Sequence, residues 1–143
     1  MSHIVCDKEL CVGCLACVTA CLDQHYEPFD TDTVSPRKYT LHISEKTGMT
    51  SYKTSSCLHC QDPECMKACK QDALYRDERG YIRVRPENCI GCKACQQHCP
   101  YHMIIVNKNK KAVKCDGCSV RIGAGLKPAC LRVCPTGALS IKE

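Results

Sequence analysis

A small α+β fold, in which cysteine runs alternate with short β-hairpins, is predicted by three features of the sequence. Cysteine accounts for 17 of the 143 residues, and 16 of these fall into four groups of four. Short segments rich in β-branched residues, each ended by turn residues, lie between the groups. Apart from cysteine the apolar content is low, with one Phe and no Trp. We therefore do not expect a conventional hydrophobic core.

The third cysteine group has the most informative spacing. Cys89, Cys92, Cys95 and Cys99 are separated by two, two and three residues, and Pro100 follows. In bacterial ferredoxins three thiolates of such a run hold one 4Fe-4S cluster, and the fourth ligates a different cluster. A run of this kind therefore requires a partner run. The other groups are Cys11, Cys14, Cys17 and Cys21; Cys57, Cys60, Cys65 and Cys69; and Cys115, Cys118, Cys130 and Cys134.

Zinc sites and disulfide bonds are the competing uses of so many cysteines. Zinc ribbons separate their two cysteine pairs by a dozen or more residues, whereas Cys11–Cys21 and Cys89–Cys99 each place four sulfurs within eleven residues. Disulfide frameworks belong to secreted chains, but residues 1–5 show no signal-peptide pattern. We therefore expect iron-sulfur clusters and a cytoplasmic protein. A partner subunit could carry the protein to another compartment with its own signal, or hold it at the surface of a membrane.

Charge and hydropathy argue against several function classes. The formal charge is +5 at pH 7, but four clusters carrying about −2 each would bring the loaded protein to about −3. The densest basic run, Lys108–Lys111, has the composition of a solvated turn, so no nucleic-acid partner is expected. The longest aliphatic run, Met103–Val106, is too short for direct membrane insertion. No nucleophile with a base and no carboxylate pair stands out, which favours electron transfer over catalysis.

Strands are predicted between the cysteine groups. Ile4-Val5 and Ala138–Ile141 are expected to pair and to hold the two ends of the chain together. Turn residues flanked by apolar segments predict hairpins after the second and third groups. These hairpins join 73–75 to 81–84 around the turn 77–80, and 103–106 to 112–114 around the turn 107–111.

The longest interval without cysteine, residues 22–56, is predicted to be a loop leading into a small hairpin. The loop holds Pro28 and Pro36, and the hairpin pairs Tyr39–Ile43 with Thr50–Lys53. A long segment that supplies no ligand normally has another role. Docking onto another subunit is the favoured interpretation, and a lid that shields clusters from water is the alternative. The sequence does not separate the two.

Two motifs connect the chain to a known family. Cys57–Cys65 reads C-L-H-C-Q-D-P-E-C, and Lys114–Cys130 follows the pattern K-C-D-G-C-x-x-R-x-x-x-G-x-x-P-x-C. With these motifs the chain resembles the four-cluster ferredoxin-like electron-transfer subunits that accompany molybdopterin enzymes of the dimethyl sulfoxide reductase class, formate dehydrogenases and hydrogenases. The resemblance covers nearly the whole chain and is loosest over residues 22–56.

The resemblance implies four 4Fe-4S clusters with crossed ligation, in which the fourth cysteine of each run serves the cluster of a partner run. The first run pairs with the fourth, and the second run pairs with the third. We call the four implied ligand groups sets 1 to 4. They are Cys11, Cys14, Cys17 and Cys134 (set 1); Cys115, Cys118, Cys130 and Cys21 (set 2); Cys89, Cys92, Cys95 and Cys69 (set 3); and Cys57, Cys60, Cys65 and Cys99 (set 4).

The same resemblance implies the architecture and the role. Two ferredoxin-like units of short helices and small hairpins are expected, with residues 57–106 inserted within an outer unit made of residues 1–56 and 107–143. The chain would not be an enzyme by itself. It would conduct electrons between a large catalytic subunit, either a molybdopterin enzyme or a hydrogenase, and a second redox partner. A second iron-sulfur or membrane-anchor subunit is a further candidate partner, and a freely diffusing polyferredoxin is the alternative function.

Three kinds of residue beside the ligands have a structural and a functional interpretation. Cys6 lies outside the four groups, and we expect an inert, buried residue on the first strand rather than a redox-active thiol or a spare ligand. His59 and His98 adjoin ligand cysteines, but hydrogen bonding or packing is favoured over ligation because each cluster already has four cysteines. The glycines of the Cys-x-Gly-Cys turns are expected to meet backbone requirements of the ligand loops; they are Gly13, Gly91 and Gly117.

Overall fold

A computed structural model describes residues 2–26 and 34–143 of the chain. Short helices alternate with two-stranded antiparallel sheets, as the α+β prediction requires. In chain order the elements are β1 (His3–Cys6), α1 (Ala16–His25), β2 (Lys38–Ile43), β3 (Thr50–Ser55), α2 (Glu64–Ala68), β4 (Leu74–Arg76), β5 (Ile82–Val84), α3 (Ala94–His98), β6 (Ile105–Val106), β7 (Ala112–Val113), α4 (Ser119–Gly123), α5 (Ala129–Val133) and β8 (Leu139–Lys142).

The predicted pairing of the first and last strands is confirmed. β1 and β8 are antiparallel, with Ile4 opposite Ile141 and Cys6 opposite Leu139. A further backbone hydrogen bond, from the Asp7 amide to the Ala138 carbonyl at 2.8 Å, continues the ladder toward the first cysteine run. The first cysteine run, which follows β1, and the fourth run, which precedes β8, therefore adjoin the same small sheet.

The two hairpins predicted around residues 77–80 and 107–111 are also confirmed. β4 pairs with β5, and β6 pairs with β7. Each turn is closed by the side chain of its first residue, since Asp77 Oδ1 accepts the amides of Arg79 and Tyr81 at 3.0 Å. Asn107 Oδ1 accepts two amides in the same way. Asx turns of this kind are a local property of the sequence, which is why these turns are predictable.

The interval 22–56 contains the predicted hairpin, β2–β3, which extends slightly beyond the predicted strands. The expected loop is wrong at its start, because α1 continues to His25. Residues 27–33 of the predicted loop, including Pro28, lie outside the described residues. Tyr39 and Tyr52 stack across the hairpin with ring centroids 6.4 Å apart.

The short helices position cysteines in pairs four residues apart, so that the two members of a pair face the same side of the helix. α1 packs against α5, and α2 packs against α3. The first cysteine run is thereby joined to the fourth, and the second to the third. No helix within the described residues has the length and apolar character needed to cross a membrane. The pairs are Cys17 and Cys21 (α1), Cys65 and Cys69 (α2 and its C-cap), Cys95 and Cys99 (α3 and its C-cap), and Cys130 and Cys134 (α5 and its C-cap).

The described residues contain two hydrophobic clusters in which aliphatic and cysteine side chains mix. One lies between β1, α1, α5 and β8 and consists of Ile4, Cys17, Cys130 and Leu139. The other lies among α2, α3 and the hairpins β4–β5 and β6–β7, and it consists of Cys65, Leu74, Ile82, Cys95, Ile104 and Ala112. Each cluster holds only a few aliphatic side chains, in keeping with the low apolar content of the sequence.

Candidate iron-sulfur sites

Three of the four predicted cysteine sets surround cavities. In each case the three cysteines of one run are joined by a fourth from the partner run. Among residues 2–26 and 34–143, no three His, Cys, Asp or Glu side chains are arranged to hold a single metal ion. The cavities are lined by Cys11, Cys14, Cys17 and Cys134 (set 1), by Cys69, Cys89, Cys92 and Cys95 (set 3), and by Cys57, Cys60, Cys65 and Cys99 (set 4).

The four cysteines of set 2 are also brought together, although they come from three separate segments. All four are buried. Burial raises the pKa of Cys130 to about 12, and the nearby thiols of Cys115, Cys118 and Cys21 act in the same direction. Cys21 therefore lies near three cysteines of the fourth run.

Burial also raises the pKa of the Cys65 thiol, to about 11. In a cluster-free chain Cys65 and Cys130 are consequently protonated at neutral pH. Iron binding requires the thiolate, so cluster insertion must displace these protons.

Backbone amides point at the sulfurs of several cysteines. Such hydrogen bonds stabilise a thiolate and influence the potential of a cluster that it ligates. The pattern repeats between runs, mostly two or four residues after the cysteine. The donors are the amides of His59 to Cys57 Sγ (3.3 Å), Gly117 to Cys115 Sγ (3.4 Å), Ala73 to Cys69 Sγ (3.4 Å), Met103 to Cys99 Sγ (3.4 Å) and Ala112 to Cys89 Sγ (3.3 Å).

The glycines of the ligand loops satisfy the predicted backbone requirement, and two of the three also make room for aromatic rings. Gly13 and Gly117 have φ of +71° and +75°, which disfavours any other residue. A Cβ at Gly13 would lie 2.5 Å from Cδ1 of Tyr52, and one at Gly117 would lie 2.6 Å from Cδ1 of Tyr81. A tyrosine from a hairpin therefore covers each of these loops, and only glycine allows it so close.

His59 occupies the corresponding position of the second run, also with positive φ, 48°. Its side chain is 1% exposed, its Nδ1 accepts the Ile82 amide at 2.9 Å, and its ring meets that of Tyr81 edge to face at 4.9 Å. Burial, followed by the charge of Lys114, lowers the pKa of His59 to about 3. His59 is therefore neutral and carries its proton on Nε2, which agrees with a packing and hydrogen-bonding role. His98 is exposed and bonds through Nδ1 to the Ala94 carbonyl at 2.8 Å.

Two buried cations lie among the cysteine sets. Arg37 is 2% exposed and donates to Thr54 Oγ1 at 3.1 Å and to Ser56 Oγ at 3.0 Å. Lys114 is 5% exposed and donates to the carbonyls of Ile82 and Cys115. These acceptors are all neutral, and a buried charge without a counter-charge is costly.

A 4Fe-4S cluster with four thiolates would supply the missing negative charge, since it carries about −2 in its oxidised state. Arg37 lies close enough to Cys130 to oppose the rise in that thiol's pKa, and Lys114 does the same for Cys65 and Cys115. The donor atoms and the surrounding charges therefore fit anionic clusters.

The interval 22–56 contributes residues to the sites that sequence reasoning missed. Thr54 lines the set 1 cavity, and its hydroxyl lies 3.5 Å from Cys17 Sγ. Tyr52 covers Gly13, and Arg37 lies near Cys130. No local pattern marks these residues, because their position depends on how the hairpin folds back over the first run.

An ion pair that the sequence analysis also missed joins α1 to the loop of the fourth run. His25 Nε2 lies 3.2 Å from Asp116 Oδ1, and His25 Nδ1 donates to the Cys21 carbonyl at 2.9 Å. Asp116, and after it Cys21, raise the pKa of His25 to about 11. Burial acts to raise the pKa of Asp116, but His25 outweighs it and holds that pKa below its usual range. The pair fixes Cys21 beside Cys115 and Cys118.

Cysteine quartets of this spacing, with amides directed at their sulfurs, define a 4Fe-4S protein of the ferredoxin class. Comparison with known families agrees, since residues 49–143 match the 4Fe-4S dicluster domain and residues 8–24 match a 4Fe-4S binding domain.

Relatives with known names cover most of the chain. The thiosulfate reductase electron transfer subunit PhsB of Salmonella typhi is 38% identical over 93% of the chain and 71% of that protein. The B subunit of the anaerobic dimethyl sulfoxide reductase of Escherichia coli is 36% identical over 93% of the chain and 69% of that protein. The iron-sulfur subunit of the nitrate-inducible formate dehydrogenase of Escherichia coli is 33% identical over 93% of the chain, which spans about half of that protein, 51%. The chain belongs to this family of ferredoxin-like electron-transfer subunits, and its function is electron transfer through 4Fe-4S clusters.

Proposed function

We propose that the chain holds four 4Fe-4S clusters, one in each cysteine set, and conducts electrons between a catalytic oxidoreductase subunit and a second redox partner. The clusters are held by two nested units, residues 57–106 inserted within residues 1–56 and 107–143. The packing of α1 on α5 and of α2 on α3, together with the β1–β8 pairing, supports this arrangement.

The observation that carries the proposal is the order in which the sets adjoin one another. Sets 1 and 2 share α1 and α5, and sets 3 and 4 share α2 and α3. Sets 2 and 4 adjoin through Cys115, whose pKa is raised by burial and also by nearby thiols that include Cys57. Lys114 connects the same regions by donating to Ile82 and Cys115. These relations support a line of sets in the order 1, 2, 4, 3.

Exposure differs along this order. The second cysteine of its run is exposed in set 1 (Cys14) and in set 3 (Cys92), whereas Cys118 of set 2 is buried and Cys60 of set 4 is partly buried. Electrons can therefore enter and leave at sets 1 and 3 and pass through the protein between them. A protein that only stores metal has no need of an ordered line with two accessible ends.

The proposed first partner follows from the relatives. They are named as subunits of thiosulfate reductase, dimethyl sulfoxide reductase and formate dehydrogenase. We therefore propose the catalytic subunit of an oxidoreductase as the first partner, and the family resemblance of the sequence motifs extends this proposal to a molybdopterin enzyme or a hydrogenase. A second iron-sulfur or membrane-anchor subunit is the proposed second partner, and the cytoplasm is the proposed compartment.

The β2–β3 hairpin combines the two roles weighed for the interval 22–56. Tyr52 and Thr54 cover the ligand loop of set 1, which is the role of a lid. On the same strand pair Tyr39, Leu41 and Ile43 remain 45%, 44% and 56% exposed. Exposed apolar residues beside a cluster suit contact with another subunit.

The proposal is tested with protein purified anaerobically. About 16 iron and 16 sulfide per chain are expected, with magnetically coupled signals in the reduced state because crossed ligation brings clusters close together. About eight iron would mean that one unit is not built, and uncoupled signals would contradict the pairing.

The isolated chain should exchange electrons with viologen dyes, and substrate turnover should appear only with the co-purifying catalytic subunit. Turnover by the isolated chain would refute the proposed role, and purification without any partner would favour a diffusing polyferredoxin.

A further inference from the structure

Cys6 is the cysteine left outside the four sets, and it lies at the set 1 cavity. The cavity is lined by Cys6 together with Cys11, Cys14, Cys17 and Cys134. A 4Fe-4S cluster takes four cysteine ligands, so this cavity offers one thiol more than a cluster needs. Cys6 is partly exposed, and the expectation that it would be buried is wrong.

The fifth thiol is next to a particular ligand. Burial raises the pKa of Cys11, and the Cys6 thiol raises it further through its charge and a side-chain hydrogen bond. Cys11 therefore lies beside the Cys6 thiol, and the two residues line the same cavity.

The backbone fixes this meeting of Cys6 and Cys11. Cys6 ends β1, where it pairs with Leu139. The Asp7 carbonyl then accepts the amides of Leu10 at 3.1 Å and of Cys11 at 3.0 Å. One tight turn thus returns the chain from the sheet to the cavity, and the Cys6 thiol is held on an ordered strand instead of a free loop.

We propose that Cys6 is a reserve ligand for the cluster of set 1, able to take the iron that Cys11 holds. In the exchange the iron bond to Cys11 sulfur breaks, a bond to Cys6 sulfur forms, and the Cys6 proton passes to Cys11. No electron is gained or lost. Set 1 lies at the solvent-facing end of its unit, because Cys14 is exposed. A reserve thiol is useful there, since it can keep the cluster bound when the iron bond to Cys11 breaks. The inference rests on the proposed assignment of set 1.

The test compares Cys11→Ser, Cys14→Ser, Cys6→Ser and the double variant Cys6→Ser/Cys11→Ser, each purified anaerobically. Cys11→Ser should keep nearly the wild-type iron content, whereas Cys14→Ser and the double variant should lose most of the set 1 cluster or convert it to a three-iron form. Cys6→Ser alone should keep all four clusters. Iron analysis and paramagnetic resonance measure the outcome. If Cys11→Ser loses as much cluster as Cys14→Ser, or does not accumulate at all, the proposal is refuted.

Alkylation gives a second measurement that does not depend on electron transfer. In wild-type protein Cys6 carries no iron and should be labelled by iodoacetamide, as mass spectrometry would detect. In Cys11→Ser it should become protected several-fold. Equal labelling of Cys6 in both proteins would refute ligand exchange. A wild-type protein that lacks the set 1 cluster altogether would instead count against the proposed function.

Discussion

Replacing Gly13 by alanine tests whether the β2–β3 hairpin seals the set 1 loop. The substitution forces a left-handed backbone, φ +71°, onto a residue with a side chain, and it places a Cβ 2.5 Å from the Tyr52 ring. Gly137 is a matched control near the same set, because its φ is +68° and a Cβ there would meet nothing within 4 Å. The two variants share the backbone strain and differ in the contact with Tyr52.

The expected magnitudes follow from these geometries. Alanine in the left-handed region costs about 1–2 kcal/mol, which is the whole effect expected at Gly137. At Gly13 the displaced aromatic ring adds about 1–3 kcal/mol. Since about 1.4 kcal/mol corresponds to a factor of ten, Gly13→Ala should lose the cluster roughly five- to 150-fold faster than Gly137→Ala.

The assay is the rate at which absorbance near 400 nm bleaches in the presence of an iron chelator, because unfolding with cluster loss is irreversible and only a rate is defined. The two substitutions are then repeated in a Tyr52→Ala background. Without the ring, Gly13→Ala should cost no more than Gly137→Ala. If the difference between the two glycines persists in that background, Tyr52 is not the cause and the hairpin does not act as a seal.

Three further predictions concern the charges and the crossed ligands. Cys21→Ser should damage the cluster of set 2 and spare that of set 1, as resonance spectra of the reduced protein would show; loss of set 1 alone would contradict the assignment. Arg37→Met should lower the reduction potential of the set 2 cluster by roughly 40–90 mV, since a buried charge nearby is worth roughly 1–2 kcal/mol for one electron. Arg132 is exposed on α5, and Arg132→Met should leave the potential in a redox titration unchanged. Equal shifts in the two variants would exclude a special role for Arg37. The pKa of His25 rises from 6.5 to about 11 on folding, so its ion pair with Asp116 stabilises the fold fully at pH 6, and this contribution is lost as the pH approaches 11. His25→Gln should therefore accelerate cluster loss most at pH 6 and progressively less up to pH 10. The same acceleration at every pH would contradict the ion pair.

Local patterns in the sequence predict much of this fold. The Asx turns at Asp77 and Asn107, the alternation of the hairpin strands and the spacing of the third cysteine run all depend on residues close together in the chain. For the same reason Gly13 and Gly117 could be assigned to tight ligand loops. The crossed sets could be inferred only with the help of the family resemblance, because they join residues of different runs, in some cases more than a hundred positions apart, such as Cys17 and Cys134.

What could not be predicted depends on tertiary placement. Arg37 and Thr54 carry no local signal, and they reach the cysteine sets only because the hairpin folds over the first run. Cys6 looked inert because its position beside Cys11 depends on the turn at Asp7. The C-terminal turn of α1 was missed because its stability comes from His25 bonding to Asp116, ninety-one residues away.

The first and fourth cysteine runs lie near opposite ends of the chain and adjoin the β1–β8 sheet, and this has a consequence for biosynthesis. If sets 3 and 4 draw all their ligands from residues 57–99, the inserted unit can fold and accept iron while the ribosome is still making the rest of the chain. Sets 1 and 2 must wait until residues 130–134 emerge, and Cys11, Cys14 and Cys17 stay without their last partner during that time. Cluster delivery to a newly made chain would then proceed from the inserted unit to the outer unit, and the set 1 end of the line would be completed after the set 3 end.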